Sequence, residues 1–148
     1  MATIVVVITG VDGDLVLLFD GMCAVCSRAV QFVLARDRVG TLRFAPLAGE
    51  TARAILASHP ELAGVDALVL VERGQGSAAG RIWIGSEAVL RVAEYLGGPW
   101  RAAAVFRVVP PFVRRWAYAT FAARRHRLGQ RLVEYPLPDP RTRERFLP

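Results

Sequence analysis

The chain has 148 residues, of which 53% are hydrophobic and 22% charged, and this is the composition of one globular domain rather than of a disordered or collagen-like chain. Two cysteines are too few for a disulfide-stabilised secreted scaffold or for a four-cysteine zinc site. The net charge of +6 is unevenly placed, because residues 1–99 carry 8 Arg against 10 acidic residues and residues 100–148 carry 11 Arg against 3.

The first 14 residues include a β-branched run, Ile4–Ile8, and are predicted to form an N-terminal extension or an extra strand. No basic residue precedes this run and no small-residue cleavage site follows it, so it does not resemble a secretory signal. A later apolar stretch at 102–113 is interrupted by Arg107 and Pro110-Pro111, and it is shorter than the roughly 20 residues that cross a bilayer. We therefore expect a soluble, cytoplasmic protein that is not transmembrane.

A strand, a helix and a second strand are predicted next. The apolar run Leu15–Phe19 is typical of a strand, and the turn formers Asp20-Gly21 follow it. Apolar residues at helical spacing then predict a helix from about Cys23 to Asp37. The alternating segment Leu42–Ala45 predicts a strand that Pro46 ends, because proline lacks a backbone donor.

The following segments complete a central fold. Helical periodicity predicts a helix at Glu50–Ser58, and the apolar runs Ala67–Val71 and Arg81–Ile84 predict a hairpin. Ser86 is predicted to be the N-cap of a further helix that ends at Gly97-Gly98. With a right-handed βαβ crossover, this order predicts an α/β, thioredoxin-like fold at residues 15–98, with helices flanking a central mixed sheet.

Residues 99–148 are predicted to be a basic helical extension packed on this core. Helices are expected at Trp100–Val109 and Phe112–Leu128, with Pro110-Pro111 between them and a proline-rich tail from Tyr135. This region is a candidate for docking on an anionic membrane surface or an acidic protein, or is simply a solvated helix face. Specific nucleic-acid binding is not expected, because no helix-turn-helix or single-strand-binding signature is present. The candidate docking residues are Arg114, Arg115, Arg124, Arg125 and Arg127.

The motif DGMCAVC places Cys23 and Cys26 three residues apart, where a predicted strand ends and a predicted helix begins. Side chains at this spacing share one face of the first helical turn, so the two sulfurs are close enough to form a disulfide. The unpaired amides and the positive dipole end of the helix stabilise a thiolate. Cys23 is therefore predicted to be the attacking thiol, and Cys26, one turn deeper, the resolving thiol.

Two other features of the motif are open to a chemical interpretation. Asp20 precedes the cysteines, and its carboxylate either accepts the proton of Cys26 as that thiol attacks or accepts backbone N–H bonds in the turn. Zinc at the cysteines would need two more ligands, and His59 and His126 stand alone in the sequence, His126 in a predicted solvated segment. Neither a metal nor an organic cofactor is expected.

Several segments, in their order along the chain, resemble the DCC family of predicted thiol-disulfide oxidoreductases. The resemblance covers about Leu15 to Phe146 and rests on LLFDGMCAVCSRAVQFVLARD, LRFAPL, ALVLVERG, IWIGSEAVLRVAEYLGG and PLPDPRTRERF. The DxxCxxC signature of the family corresponds to Asp20, Cys23 and Cys26. The resemblance implies a thioredoxin-like fold with Cys23 as the catalytic nucleophile.

The sequence departs from related proteins at three places. Thioredoxins carry a proline before the strand that faces their cysteines, whereas Asp66 stands there in this chain. An Asn-Arg pair that is usual near the last helix of the DCC family is replaced by Arg124-Arg125, and Tyr135 stands where relatives often have a further cysteine.

These observations predict a thiol-disulfide oxidoreductase. Cys23 would attack the disulfide of a protein or small-molecule substrate, and Cys26 would then release the product by forming the Cys23–Cys26 disulfide. The direction of electron flow is open, because CxxC proteins span roughly −270 to −120 mV. The alternative is a non-catalytic binding module that docks through its arginine-rich helix.

Overall fold

The computed structural model describes residues 15–72, 80–128 and 139–148. The predicted N-terminal extension at 1–14 and the position of Tyr135 lie outside these ranges, as does the side chain of His126.

A four-stranded mixed sheet forms the centre of the described chain. Its strands are β1 (Leu15–Phe19), β2 (Arg43–Pro46), β3 (Val69–Glu72) and β4 (Arg81–Ile84), in the spatial order β2-β1-β3-β4. β1 pairs in parallel with β2 and antiparallel with β3, and β3 pairs antiparallel with β4. A βαβ crossover followed by a hairpin is therefore present, and the predicted thioredoxin-like fold is confirmed.

The helices follow the predicted order. They are α1 (Ala24–Arg36), α2 (Glu50–Ser58), α3 (Ser86–Leu96) and α4 (Pro111–Leu128). Short 3-10 turns occur at Pro60–Leu62 and Arg143–Arg145, and a longer 3-10 segment spans Gly98–Val108. The helix predicted at Trp100–Val109 is thus a 3-10 segment that begins two residues earlier.

The sheet is covered on both faces because successive side chains of a strand point in opposite directions. Leu17 and Phe19 of β1 pack with residues of α1 and α3, whereas Val16 and Leu18 pack with residues of α2. The Cα partners on β3 are Leu70 for Leu17 and Val71 for Val16, so the same division continues across the sheet. The end of β1, which leads into α1, is consequently packed on both faces of the sheet.

The start of α3 corrects one prediction. Ser86 is the first residue of the helix and not its N-cap; that position belongs to Gly85, which has φ 60° and ψ −121° and offers no side-chain cap. A Cβ at Gly85 would lie 3.0 Å from the ring of Tyr118 in α4. The positive φ and the packing of Tyr118 both require glycine at this position.

The described C-terminal residues lie along β2. Phe146 stacks on Phe44 with ring centroids 5.4 Å apart and meets the edge of Phe19 at 6.4 Å. The backbone N–H of Leu147 donates to the carbonyl of Phe44 over 2.7 Å, and Phe44 and Phe146 form a parallel bridge. The tail thereby continues the sheet beyond β2.

Candidate active site

The two cysteines lie where the turn after β1 enters α1. Cys23 is the N-cap residue of the helix, with extended backbone angles of φ −91° and ψ 115°. Its Sγ accepts a hydrogen bond from the backbone N–H of Cys26 over 3.4 Å, and both thiols are free. The sequence spacing thus places one sulfur at the amino terminus of the helix and the other on its first turn.

Both thiols are covered by the fold. Cys23 is 2% exposed and Cys26 is 9% exposed. Burial, followed by a side-chain hydrogen bond with Cys23 and by the charge of Cys23, raises the pKa of Cys26 to about 12. Cys26 therefore keeps its proton at neutral pH in the reduced protein.

Asp20 has a clear structural role in the turn between β1 and α1. Its Oδ1 accepts the backbone N–H of Met22 over 2.9 Å, and its carbonyl accepts the backbone N–H of Cys23 over 3.2 Å. The first contact is the turn-stabilising bond that was one of the two predicted alternatives. The carboxylate also contributes, as the smallest of several causes, to the raised pKa of Cys26.

Arg125 of α4 reaches this site, which the sequence did not predict. The residue is only 3% exposed, so its assignment to an exposed docking face is wrong. Its Nη1 donates to Sγ of Cys26 over 3.7 Å. Its Nη2 donates to the carbonyl of Asp66 over 3.2 Å and forms an ion pair with the Asp66 carboxylate. One signal in the sequence could have pointed to this residue: Arg125 stands where the DCC family usually has the arginine of its Asn-Arg pair.

Tyr118 makes a second polar contact between α4 and the segment before β3. Its hydroxyl accepts the backbone N–H of Leu68 over 3.0 Å. Because this N–H bonds to a side chain rather than to a strand, β3 begins at Val69 and not at Ala67 as predicted. Two side chains of α4 therefore hold the segment that carries Asp66.

The remaining arginines of α4 do not form one surface. Arg114 is largely buried and its Nη1 lies 2.8 Å from Oε1 of Glu87. The side chains of Arg115, Arg124 and Arg127 are exposed. Of the five arginines predicted to form a docking face, only these three are exposed.

No metal site accompanies the cysteines in the described part of the chain, where no group of three or more His, Cys, Asp or Glu side chains is suitably arranged. The ring of His59 contacts Oε1 of Glu61 instead, with 3.0 Å between Nδ1 and Oε1. None of the helices in residues 15–72, 80–128 and 139–148 is long and apolar enough to cross a membrane.

The fold and the cysteine pair together define a thioredoxin-like protein with a CxxC motif at the start of its first helix. The chain matches the DCC1-like thiol-disulfide oxidoreductase family over residues 17–131 and belongs to that family, as the resemblance implied. This membership supports a redox role in general.

Two relatives show how far the similarity extends. The chain is 37% identical over 134 residues to the uncharacterized protein YuxK of Bacillus subtilis, covering 90% of this chain and 93% of the relative. It is 34% identical over 113 residues to a chloroplastic DCC family protein of Arabidopsis thaliana, covering 75% of this chain and 62% of that relative. No solved structure gives a significant match.

Proposed function

We propose that the protein is a thiol-disulfide oxidoreductase in which Cys23 is the nucleophile and Cys26 the resolving thiol. The observation that carries this assignment is the difference between the two sulfurs. Sγ of Cys23 accepts the Cys26 amide at the amino terminus of α1, which favours a thiolate, whereas the pKa of Cys26 is raised by burial and by its contact with Cys23.

The reaction has two balanced steps. The Cys23 thiolate attacks one sulfur of a substrate disulfide, forming a mixed disulfide and releasing the other substrate sulfur as a thiolate that takes up a proton. Cys26 then loses its proton and attacks Sγ of Cys23, and the second substrate sulfur leaves as a thiol. The substrate gains two electrons while the protein forms Cys23–Cys26. The same steps run in reverse, so this pair of cysteines can serve a reductase, an oxidase or an isomerase.

Asp20 is proposed to accept the proton of Cys26 in the second step, directly or through water. The carboxylate is half-buried in the turn next to the cysteines, and its charge acts on the pKa of Cys26. Its bond to the Met22 amide fixes the carboxylate in the turn. This role is separate from the observed turn-stabilising role and is compatible with it.

Burial of both sulfurs sets a condition on the substrate. With Cys23 only 2% exposed, a disulfide reaches it after neighbouring groups move aside. The partner is proposed to be a protein or small-molecule thiol or disulfide, and no metal or organic cofactor is part of the mechanism. The cytoplasmic location expected from the sequence stays a prediction.

The test is to trap the mixed disulfide with glutathione disulfide as the probe. The Cys26→Ser variant is expected to keep one glutathione on Cys23, because the thiol that would release it is absent. Wild type should instead accumulate the internal disulfide, which mass spectrometry of the intact chain and of its peptides distinguishes.

The matched control is Cys23→Ser, which retains Cys26. It should form little adduct at neutral pH, because burial, the largest cause of the raised pKa of Cys26, is still present in this variant. An adduct that forms on Cys26 faster than on Cys23 would reverse the two roles. If none of the three proteins is oxidised reversibly, the oxidoreductase assignment fails.

A second candidate function is docking on an anionic membrane surface. Phe112 and Trp116 of α4 are 67% and 69% exposed, and Arg115 is exposed beside them in sequence. Exposed aromatic side chains together with arginine are the features by which an interfacial helix binds anionic lipid. This function is compatible with the redox role.

Sedimentation with vesicles tests this second candidate. Binding is expected to vesicles that contain phosphatidylserine and not to pure phosphatidylcholine, and Arg115→Gln should weaken it about fivefold, since one basic residue contributes about 1 kcal/mol. Arg28→Gln removes the same charge from an exposed position on α1 and should have no such effect. Equal sedimentation with both lipids would exclude electrostatic docking.

A further inference from the structure

The environment of Arg125 is unusual for an arginine in a helix rich in exposed arginines. Arg124 and Arg127 are exposed, but Arg125 is 3% exposed and lies against the redox motif. A buried charge is costly unless it is paired and hydrogen-bonded. Arg125 meets this requirement on one side through Asp66, and its other Nη atom donates to Sγ of Cys26.

We propose that Arg125 is a catalytic residue that stabilises the Cys26 thiolate in the resolving step, and that Asp66 positions it for this purpose. The proposal rests on the proposed exchange function, and it adds a residue of α4 to chemistry otherwise confined to the turn after β1 and the start of α1. It concerns the second step of the reaction, in which the substrate is released.

The two Nη atoms of the Arg125 guanidinium contact different groups. A residue that only attached α4 to the segment before β3 would need nothing beyond the Nη2 contacts to Asp66 and the Tyr118 hydroxyl contact to Leu68. Nη1 instead donates to Cys26 Sγ over 3.7 Å, at the atom that becomes negative during resolution. Such a hydrogen bond strengthens when its acceptor is ionised.

The surroundings of Cys26 favour a nearby cation in the resolving step. Burial disfavours the Cys26 thiolate, and the charge of Asp20 also raises the pKa of Cys26, whereas Cys23 is bonded to the substrate at this stage and carries no charge. The charge of Arg125 acts in the opposite direction and lowers the pKa of Cys26. Burial by itself lowers the pKa of Arg125, but Cys26, Asp66, Cys23 and Tyr118 together raise it above its ordinary value, so the guanidinium stays charged.

The step balances with Arg125 unchanged. Cys26 gives its proton to Asp20 or to water, and the resulting thiolate attacks Sγ of Cys23. The Cys23–substrate bond breaks as the Cys23–Cys26 bond forms, and the substrate leaves as a thiolate that takes up a proton. Arg125 stabilises the thiolate of Cys26 and forms no covalent bond.

The first experiment measures the ionisation of Cys26 without requiring any exchange activity. In a Cys23→Ser background, where Cys26 is the remaining thiol, the rate of alkylation of Cys26 by iodoacetamide is followed from pH 7 to pH 10. Adding Arg125→Gln should slow alkylation about tenfold at each pH, which corresponds to one pKa unit. Adding Asp66→Asn should accelerate it, because the backbone carbonyl and the amide oxygen of asparagine can still accept from the guanidinium and hold it in place, but the neutralising charge is lost.

Arg124→Gln is the matched control, since it removes the same charge from the adjacent exposed position. Its alkylation rate should equal that of the background variant. Equal rates for Arg125→Gln and Arg124→Gln would overturn the proposal. Asp66→Asn keeps the test decisive if Arg125→Gln fails to fold, because an unchanged or slower rate in that variant contradicts the predicted direction.

The second experiment measures resolution in the full chain with both cysteines. Reduced protein is mixed with excess glutathione disulfide, samples are quenched with acid, and the mixed disulfide is followed by mass spectrometry. Arg125→Gln should resolve about tenfold more slowly than wild type at pH 7, and Arg125→Lys should lie between them because it keeps the charge but loses the two-pronged geometry.

The two experiments separate the possible failures. If wild type never forms a mixed or internal disulfide, the proposed function fails, and the alkylation rates alone decide whether Arg125 acts on Cys26. If wild type resolves normally and Arg125→Gln resolves at the same rate, the exchange function stands and the role of Arg125 is overturned.

Discussion

Replacing Phe44 with alanine is expected to reduce the free energy of unfolding by about 4 kcal/mol. Phe44 is completely buried, belongs to the core cluster between the sheet and α1 and α3, and stacks on Phe146. Truncation removes its buried surface and leaves a cavity that rigid neighbours fill only partly. Urea denaturation of wild type and variant, both reduced, gives the difference directly.

Phe106→Ala is the appropriate control, because that ring is 59% exposed in the 3-10 segment. Its effect should stay within about 0.5 kcal/mol. A loss of less than 1 kcal/mol for Phe44→Ala, or equal losses for the two variants, would show that Phe44 is not packed in the core.

Replacing Arg145 with alanine is expected to cost about 3 kcal/mol. The side chain of Asp37 is completely buried and pairs with Arg145 through Oδ2. Removing one partner of a buried ion pair costs about 3–5 kcal/mol, because the other charge is left uncompensated. The lower end applies here, since Asp37 also accepts from the backbone N–H groups of Val39 and Gly40 and from the Tyr95 hydroxyl.

Arg143→Ala provides the comparison for this experiment, because Arg143 is exposed in the same 3-10 turn. It should unfold like wild type. A double variant with Asp37→Asn and Arg145→Ala should be more stable than Arg145→Ala alone, since the buried charge is then also removed. If the double variant is no better, the loss comes from the other contacts of Arg145, which include its hydrogen bonds to the Leu42 carbonyl, and not from its pairing with Asp37.

The sheet could be predicted from the sequence because its signals are local. The runs at β1 and β4 contain the alternation or continuous apolar character that strands require, and their bounds match the structure. The helix at Glu50–Ser58 and the placement of Cys23 at the start of α1 follow from periodicity and from the preceding turn residues in the same way. These elements are determined by residues that are neighbours in sequence.

The parts that the sequence did not reveal depend on distant contacts. Arg125 is separated from Cys26 by 99 residues, and nothing in the local pattern RRHRLG distinguishes its buried side chain from the exposed Arg124. Gly85 takes the N-cap position expected for Ser86, and the Tyr118 ring of α4 lies close to where a Cβ of Gly85 would be. Both contacts of α4 join residues that are far apart in the chain, which no local pattern specifies.

The departure at Asp66 has an explanation in the same packing. Thioredoxins have a proline before the strand that faces their cysteines, and Asp66 occupies that place here. Its carboxylate and carbonyl are both bonded by Arg125, and the following Leu68 N–H is bonded by Tyr118. The conformation of this segment is therefore held by side chains of α4.

The contact of the C-terminal residues with β2 has a consequence for solubility. An edge strand presents unpaired backbone groups to which the strand of another molecule can add, and this is a common route to aggregation. In this protein the Phe44 carbonyl is bonded by the Leu147 amide, and the Arg43 side chain donates to the Glu144 carbonyl over 2.7 Å. The residues that complete the hydrophobic core thus also block one border of the sheet against self-association.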